Sequence, residues 1–392
     1  MSTYLTKQTP GDTAWFTHDR FGMFIHWGLY AMPARHEWIM TRERMTDEHY
    51  ARYFRHFEPD LYDPREWARM AKAAGMKYAV MTAKHHEGFC MFDSQYTDFK
   101  CTNTPAGRDL IREYVEAFRA EGLRVGFYYS LIDWHHPDFT VDMLHPRRDD
   151  PDAQRLNEGR DMKRYAQYMR DQVTELLTAY GKIDILWFDF SYSDNHDGAP
   201  WMRGKGKEDW EAEELIALAR RLAPGILIDN RTEVDGDIWT PEQYQPKTWV
   251  RHPVSAELVT WEACQTFSGS WGYYRDEMTW KSPEMLIRML VETVSLGGNL
   301  PDERGTYRPG LSGQPGPGGA GGVCPVDAIQ QPLHLRLHHG GAGIPGPPGL
   351  PLHPECRWQT ALPTPLCLPL CLPGAPRTGR EGGLRPVPPR CQ

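Results

Sequence analysis

Cysteine is scarce in the first three hundred residues, where only Cys90, Cys101 and Cys264 occur, none in a CxxC pair or at metal-ligand spacing with histidine. A zinc ribbon or thiol-redox centre is therefore not expected, and reduced thiols are. Positive charge is not in excess either: the formal net charge is -8 and the pI about 6.1. No basic stripe is available to displace phosphate counterions, which argues against a nucleic-acid partner. No stretch approaches the roughly 18 apolar residues of a membrane span, and residues 1–10 lack an apolar signal-peptide core. The expectation is a cytoplasmic chain without a membrane partner; a homo-oligomer stays open. HExxH, GxSxG, a Walker loop and GxGxxG after a strand are all missing, which removes the main support for zinc-protease, serine-hydrolase and nucleotide-dependent readings. Gly204-Lys205-Gly206-Lys207 follows no strand and is read as an exposed loop rather than a phosphate cradle.

Aromatic residues are abundant, at 12% of the chain with 14 tryptophans. They suit stacking on sugar faces, although a tryptophan-rich core explains them equally well. Short runs rich in β-branched and aromatic residues alternate with amphipathic helical stretches, the signal of a parallel sheet built from βαβ units. The strands are expected at 22–26, 77–82, 124–130, 183–188, 225–228 and 258–261. Helices are expected at 64–74, 110–121, 159–178, 208–222 and 283–296. Gly75, Gly122 and Gly181 each follow a helical run, where a left-handed cap is wanted. The fold class is α/β, a (β/α)8-like barrel.

Barrel enzymes place their chemistry at the C-terminal strand ends. Here His26-Trp27 closes the first strand, His85-His86-Glu87 follows the second, Tyr128-Tyr129 ends the third and Asp189 the fourth; Asn230-Arg231 and Glu262 end the next two. A lone polar residue after a strand is usually a cap, but six such clusters in order point to a pocket. Asp189 follows a strand expected to be buried on both faces, where an unpaired carboxylate is expensive. Glycoside hydrolysis would require a second carboxylate, and Glu37, Glu87, Glu242 and Glu262 all qualify by composition. Spacing does not rank them. His85 and His86 lack further metal ligands and are better suited to sugar hydroxyls, since neutral imidazole both donates and accepts.

FGMFIHWG (21–28), HEW (36–38), AKHHEGFCMFDS (83–94), GFYYSLIDWHHPDF (126–139), ILWFDF (185–190), TPEQYQP (240–246), TWEACQTFSGSWGYYRD (260–276) and SLGGNL (295–300) occur in the order found in the α-L-fucosidases of glycoside hydrolase family 29, which residues 10–300 resemble. The resemblance implies a retaining exo-glycosidase that removes terminal α-L-fucose by double displacement, without metal or organic cofactor, from a fucoside or fucosylated glycan. It places the nucleophile at Asp189 and the acid/base at Glu242, with Glu262 in reserve. It assigns fucose binding to His26, Glu37, Trp38, His85, His86, Tyr128, Trp187, Arg231 and Trp271, with the Trp271 ring against the C5-methyl. Two departures stand out. Asp229-Asn230-Arg231 reverses the commoner Asn-Asp-Arg order, and Phe190 stands where glycine is frequent. The alternatives are a related retaining glycosidase acting on galactosides, a non-catalytic sugar-binding barrel, and an inactive truncated product.

The composition changes at residue 300. Residues 301–392 hold 17 Gly, 19 Pro and no Lys, with Tyr307 and Trp358 as the only aromatics. Such a segment cannot bury an ordinary core. Read one base later, codons permitted for 301–310 encode Leu-Met-Asn-Val-Gly-Pro-Thr-Gly-Arg, and those for 329–337 permit Phe-Asn-Ser-Arg-Ser-Ile-Tyr-Gly. Both are similar to fucosidase stretches beyond this point. The expectation is a catalytic barrel over 1–300 and an out-of-frame, disordered tail over 301–392 in place of the family's β-sandwich. It leaves the barrel incomplete at its C-terminal end, with the seventh strand cut short and the eighth missing, and so poorly stable and weakly active or inactive.

Overall fold

The computed structural model describes residues 6–193 and 199–305. Seven strands form one parallel sheet in the order β5-β4-β3-β2-β1-β7-β6. They are β1 (Phe21–His26), β2 (Tyr78–Lys84), β3 (Arg124–Ser130), β4 (Ile185–Asp189), β5 (Leu227–Ile228), β6 (Gln265–Thr266) and β7 (Leu300–Gly305). Helices Pro64–Ala73, Leu110–Ala120 and Met162–Ala179 return the chain between β1 and β2, β2 and β3, and β3 and β4. Each begins where an aspartate (Asp63, Asp109, Asp161) accepts the first free backbone N–H groups. Gly75, Gly122 and Gly181 take the positive φ expected of them.

Both faces of the strands are covered, so the central ones read as continuous apolar runs; every residue of β2 is buried. Alternation still sorts the side chains. Phe24, Val80, Tyr128, Ile185 and Trp187 pack together in one cluster. Their neighbours Met23, Ile25, Met81, Phe127 and Leu186 join the larger core shared with the helices.

Between β5 and β6 the sheet has no full ladder. Single parallel bridges Asp229↔Ile238, Trp239↔Trp261 and Glu262↔Asn299 carry the pairing from β5 round to β7. This is an incomplete TIM-type barrel, open at this seam where strands are replaced by one-residue contacts.

Four sequence expectations are corrected. Residues 258–261 form no strand; Leu258 and Trp261 make isolated bridges only, and the ladder falls at Gln265–Thr266. The helix expected over 208–222 is broken at Glu211, whose φ of 46° splits it into Lys207–Trp210 and Ala212–Leu222. The strand expected to stop at Leu300 continues to Gly305, paired with β1 from Phe21↔Leu300 to His26↔Gly305. Gly204, Lys205 and Gly206 are buried rather than exposed, and Lys205 forms an ion pair with the buried Asp142. The reading of the tail beyond residue 305 lies outside the described residues. Among the described residues no helix is long and apolar enough to cross a membrane.

Candidate active site

A cleft with about 380 Å³ of open space lies at the C-terminal ends of the strands. Asp189 is the last residue of β4, paired with Ser130 of β3. It is only 9% exposed, and its oxygens are divided between two donors. The Tyr128 hydroxyl donates to Oδ2 at 2.7 Å and Arg231 Nη1 to Oδ1 at 2.9 Å. Burial pushes the Asp189 carboxyl above the usual range; Arg231 pulls it back and the charge of Glu242 adds to the rise.

Arg231 Nη1 also donates to Glu242 Oε2 at 2.6 Å. The two carboxylate oxygens are thus no farther apart than these two bonds laid end to end. That upper bound does not exceed the ~5–5.5 Å of a double displacement and is short of the ~6.5–9.5 Å left for water in inverting enzymes. Trp271 Nε1 donates to the other Glu242 oxygen at 2.9 Å. The guanidinium is fixed in turn by Thr240, through Nε to Oγ1 at 2.8 Å and Nη2 to the carbonyl at 3.2 Å, and lies 4.5 Å over the Trp187 ring. Burial opposes the charge of Arg231, but the two carboxylates outweigh it and raise its pKa. The reversed order at 229–231 is accommodated locally: Asp229 is buried, and Asn230 Oδ1 accepts the Thr240 N–H at 3.2 Å.

The opposite wall is built of imidazoles. His85 sits 4.0 Å from His86 and 4.7 Å from His26, ring centre to ring centre, and stacks on Tyr128. Burial and the neighbouring imidazoles hold His26 and His86 well below their ordinary pKa, so both are neutral at pH 7. The tautomer of His86 follows from its partner. The Ser130 hydroxyl donates to the Ile132 carbonyl, so Oγ accepts from His86 Nδ1–H at 2.7 Å. Nε2 is then the acceptor side of the ring.

Glu37 is also buried, and burial raises its carboxyl although the Gly272 N–H donates to Oε2 at 2.7 Å. That approach needs glycine: a Cβ at 272 would stand 3.0 Å from both Cβ and N of Glu37. Its Oε1 has no hydrogen-bond partner among the described residues. Trp38 packs edge-on to His86 at 4.7 Å.

Glu262 does not reach the cleft. It is fully buried beneath it, with Tyr78 OH donating to one oxygen at 2.8 Å and Trp187 Nε1 to the other at 3.2 Å. Burial raises its carboxyl to about 7, against the pull of those two donors. Glu87 is likewise buried, beside His85 at 3.3 Å. The structure therefore gathers Asp189, Glu242 and all nine proposed binding residues round one cleft, and sets the reserve Glu262 outside it. Phe24, Phe190 and Cys264 also line the cleft and had not been singled out as site residues. Period-two alternation from His26 would have found Phe24.

Three of the non-glycine residues at positive φ adjoin the cleft's three carboxylates: His36 (φ 90°) before Glu37, Phe190 (78°) after Asp189 and Gln243 (50°) after Glu242. Backbone strain of this kind concentrates at functional sites.

A model of the α-L-fucosidase family matches residues 4–308. The chain belongs to this family, glycoside hydrolase family 29. Among solved family structures, α-L-fucosidase isoenzyme 1 from Paenibacillus thiaminolyticus is 51% identical, with a TM-score of 0.70 over 75% of this chain and 70% of that one. A fucosidase from Bacteroides thetaiotaomicron, trapped as a covalent intermediate with 2-fluoro-fucosyl fluoride, is 28% identical at a TM-score of 0.63, over 78% of this chain and 72% of that one. Human plasma α-L-fucosidase is 30% identical over 327 residues, 75% of this chain. The chain spans 62% of the length of that relative.

Proposed function

We propose that this fucosidase-family chain hydrolyses terminal α-L-fucosides with retention of configuration, Asp189 acting as nucleophile and Glu242 as acid and base. The observation that carries this reading is the pair of carboxylate oxygens held on one guanidinium nitrogen, at a separation suited to direct attack on carbon. In the first step an Asp189 oxygen bonds to the anomeric carbon as the bond to the leaving oxygen breaks, and Glu242 gives that oxygen its proton. In the second, water attacks the same carbon, Glu242 takes the water's proton, and the ester to Asp189 breaks. Water is the only co-reactant.

The remaining cleft residues serve the sugar. His26, His85, His86 and Glu37 offer acceptors and donors to hydroxyls, and Trp38, Trp187 and Trp271 offer apolar faces, with Trp271 beside the acid/base positioned against the C5-methyl. Tyr128 and Arg231 hold Asp189 in its attacking geometry. The substrate of this reading is a fucoside or a fucosylated glycan. We further propose that residues beyond Leu300 are read out of frame and that 1–300 is the catalytic unit, for which sequencing of the gene is the test.

The catalytic assignment is tested with Asp189→Gly and an aryl α-L-fucoside. Turnover falls by about 10⁴-fold or more, and added azide restores it with β-fucosyl azide as product. An α-azide, or no rescue by azide, would overturn the assignment.

A further inference from the structure

Phe190 follows the proposed nucleophile directly, and its φ of 78° lies in the left-handed region that disfavours a bulky side chain. The chain nonetheless carries a phenyl ring there, and surrounding contacts hold it. The ring centre is 4.8 Å from that of Trp38, 5.0 Å from His86 and 5.6 Å from Tyr192. It also lines the cleft.

The chemistry of this corner is specific. Nδ1 of His86 is committed to Ser130, which leaves Nε2 to accept a hydrogen bond from a ligand hydroxyl. Trp38 and Phe190 flank that imidazole with apolar surface, and Trp134 closes on it 5.7 Å away. An acceptor enclosed by three aromatic rings gains from a hydroxyl and has no partner to offer an alkyl or glycosyl ether in its place.

We propose that Phe190 is a specificity-determining residue whose ring walls the space beside Trp38 and His86, so that the sugar hydroxyl held there must be unsubstituted. This deepens the fucoside-hydrolase reading and rests on it.

The test compares the full chain with Phe190→Ala, which removes the ring, and Phe190→Gly, which removes the ring and suits the backbone turn. For each protein, kcat/KM is measured on 4-nitrophenyl α-L-fucoside and on its 2-, 3- and 4-O-methyl ethers, and binding of L-fucose and its matching ethers is measured by calorimetry. The expected result is that both variants raise the ether-to-parent ratio at least tenfold for one ether, in turnover and in binding. Unchanged ratios for all three ethers would overturn the proposal, as would a parent chain that accepts every ether as well as fucose. A gain seen with glycine but not alanine would assign the effect to the backbone turn and sink the role of the ring. If the parent chain binds fucose yet hydrolyses nothing, the binding ratios still judge the wall, and the hydrolase reading alone fails.

Discussion

Asp189 and Glu242 accept hydrogen bonds from the same nitrogen, Nη1 of Arg231. One half-buried cation thus sets the distance between a carboxylate at the end of β4 and one on the bridged arc, and balances their mutual repulsion.

The first prediction concerns that cation. Burial and Glu242 raise the Asp189 carboxyl, and Arg231 is the charge that opposes them. Attack requires Asp189 ionised. In Arg231→Ala the proton is held to higher pH, so the acid limb of kcat/KM moves to higher pH. Loss of this partner lowers kcat/KM by about 10²-fold or more. A pH profile over an aryl fucoside checks both; an acid limb that stays in place or moves down contradicts the geometry.

Glu242 and Glu262 are separated by leaving-group dependence. Glu242→Gln lowers kcat/KM by about 10²–10⁴-fold on a poor leaving group and much less on 2,4-dinitrophenyl fucoside, which departs without protonation, while kcat on the latter still falls because hydrolysis of the ester has lost its base. Glu262→Gln, beneath the cleft, lowers both substrates in equal proportion. Rates across a series of aryl fucosides check this, and a steep dependence in the Glu262 variant would exchange the two roles.

Glu262 also predicts a pH-dependent stability. Its carboxyl rises from an ordinary 4.5 to about 7 on burial. The unfolded chain therefore loses this proton first. The stabilisation is fully present below pH 4.5, falls as pH rises through about 7 and is absent above it, a loss of about 3 kcal/mol. Melting temperatures of Glu262→Gln and the parent, measured from pH 4.5 to 8, should diverge through that window in favour of the variant at high pH. Parallel curves would show that Glu262 is ionised in the fold throughout.

Helix Pro283–Ser295 carries apolar residues on two sides. Leu286 is buried and Met289 and Leu290 pack on Trp261 and Leu300, while Ile287, Val291 and Val294, spaced i, i+4, i+7, are exposed. An outward apolar stripe promotes association. Light scattering should show the parent chain self-associating and Val291→Glu with Ile287→Lys reducing it, with stability changed by no more than about 0.5 kcal/mol and fucoside turnover unchanged. Equal scattering would mean that the stripe plays no part.

Much of this architecture was legible from residues alone. β3 falls at Arg124–Ser130 as expected because Gly122 stops the preceding helix and an unbroken apolar run follows it. The seam between β5 and β6 was not. Residues 258–261 have the β-branched and aromatic composition of a strand, but their partners are single bridges, while the paired residues Gln265 and Thr266 are polar. The choice between Glu242 and Glu262 was also hidden, because depth in a barrel depends on which side of the chain each residue faces. Positive φ at His36, Phe190 and Gln243 is imposed by tertiary contacts and leaves no mark in composition. Lys205 looked solvent-exposed because the partner that buries it, Asp142, lies 63 residues away.

The seam divides the site unequally. His26, Tyr128 and Asp189 stand on continuous ladders, whereas Arg231 and Glu242 stand on the arc tied by single bridges. Backbone held by few hydrogen bonds opens first on warming. Heat should therefore disarm the proton-transfer side while the nucleophile side is still folded, and a partly inactivated chain would react slowly with an activated fluorosugar yet no longer turn over an ordinary fucoside.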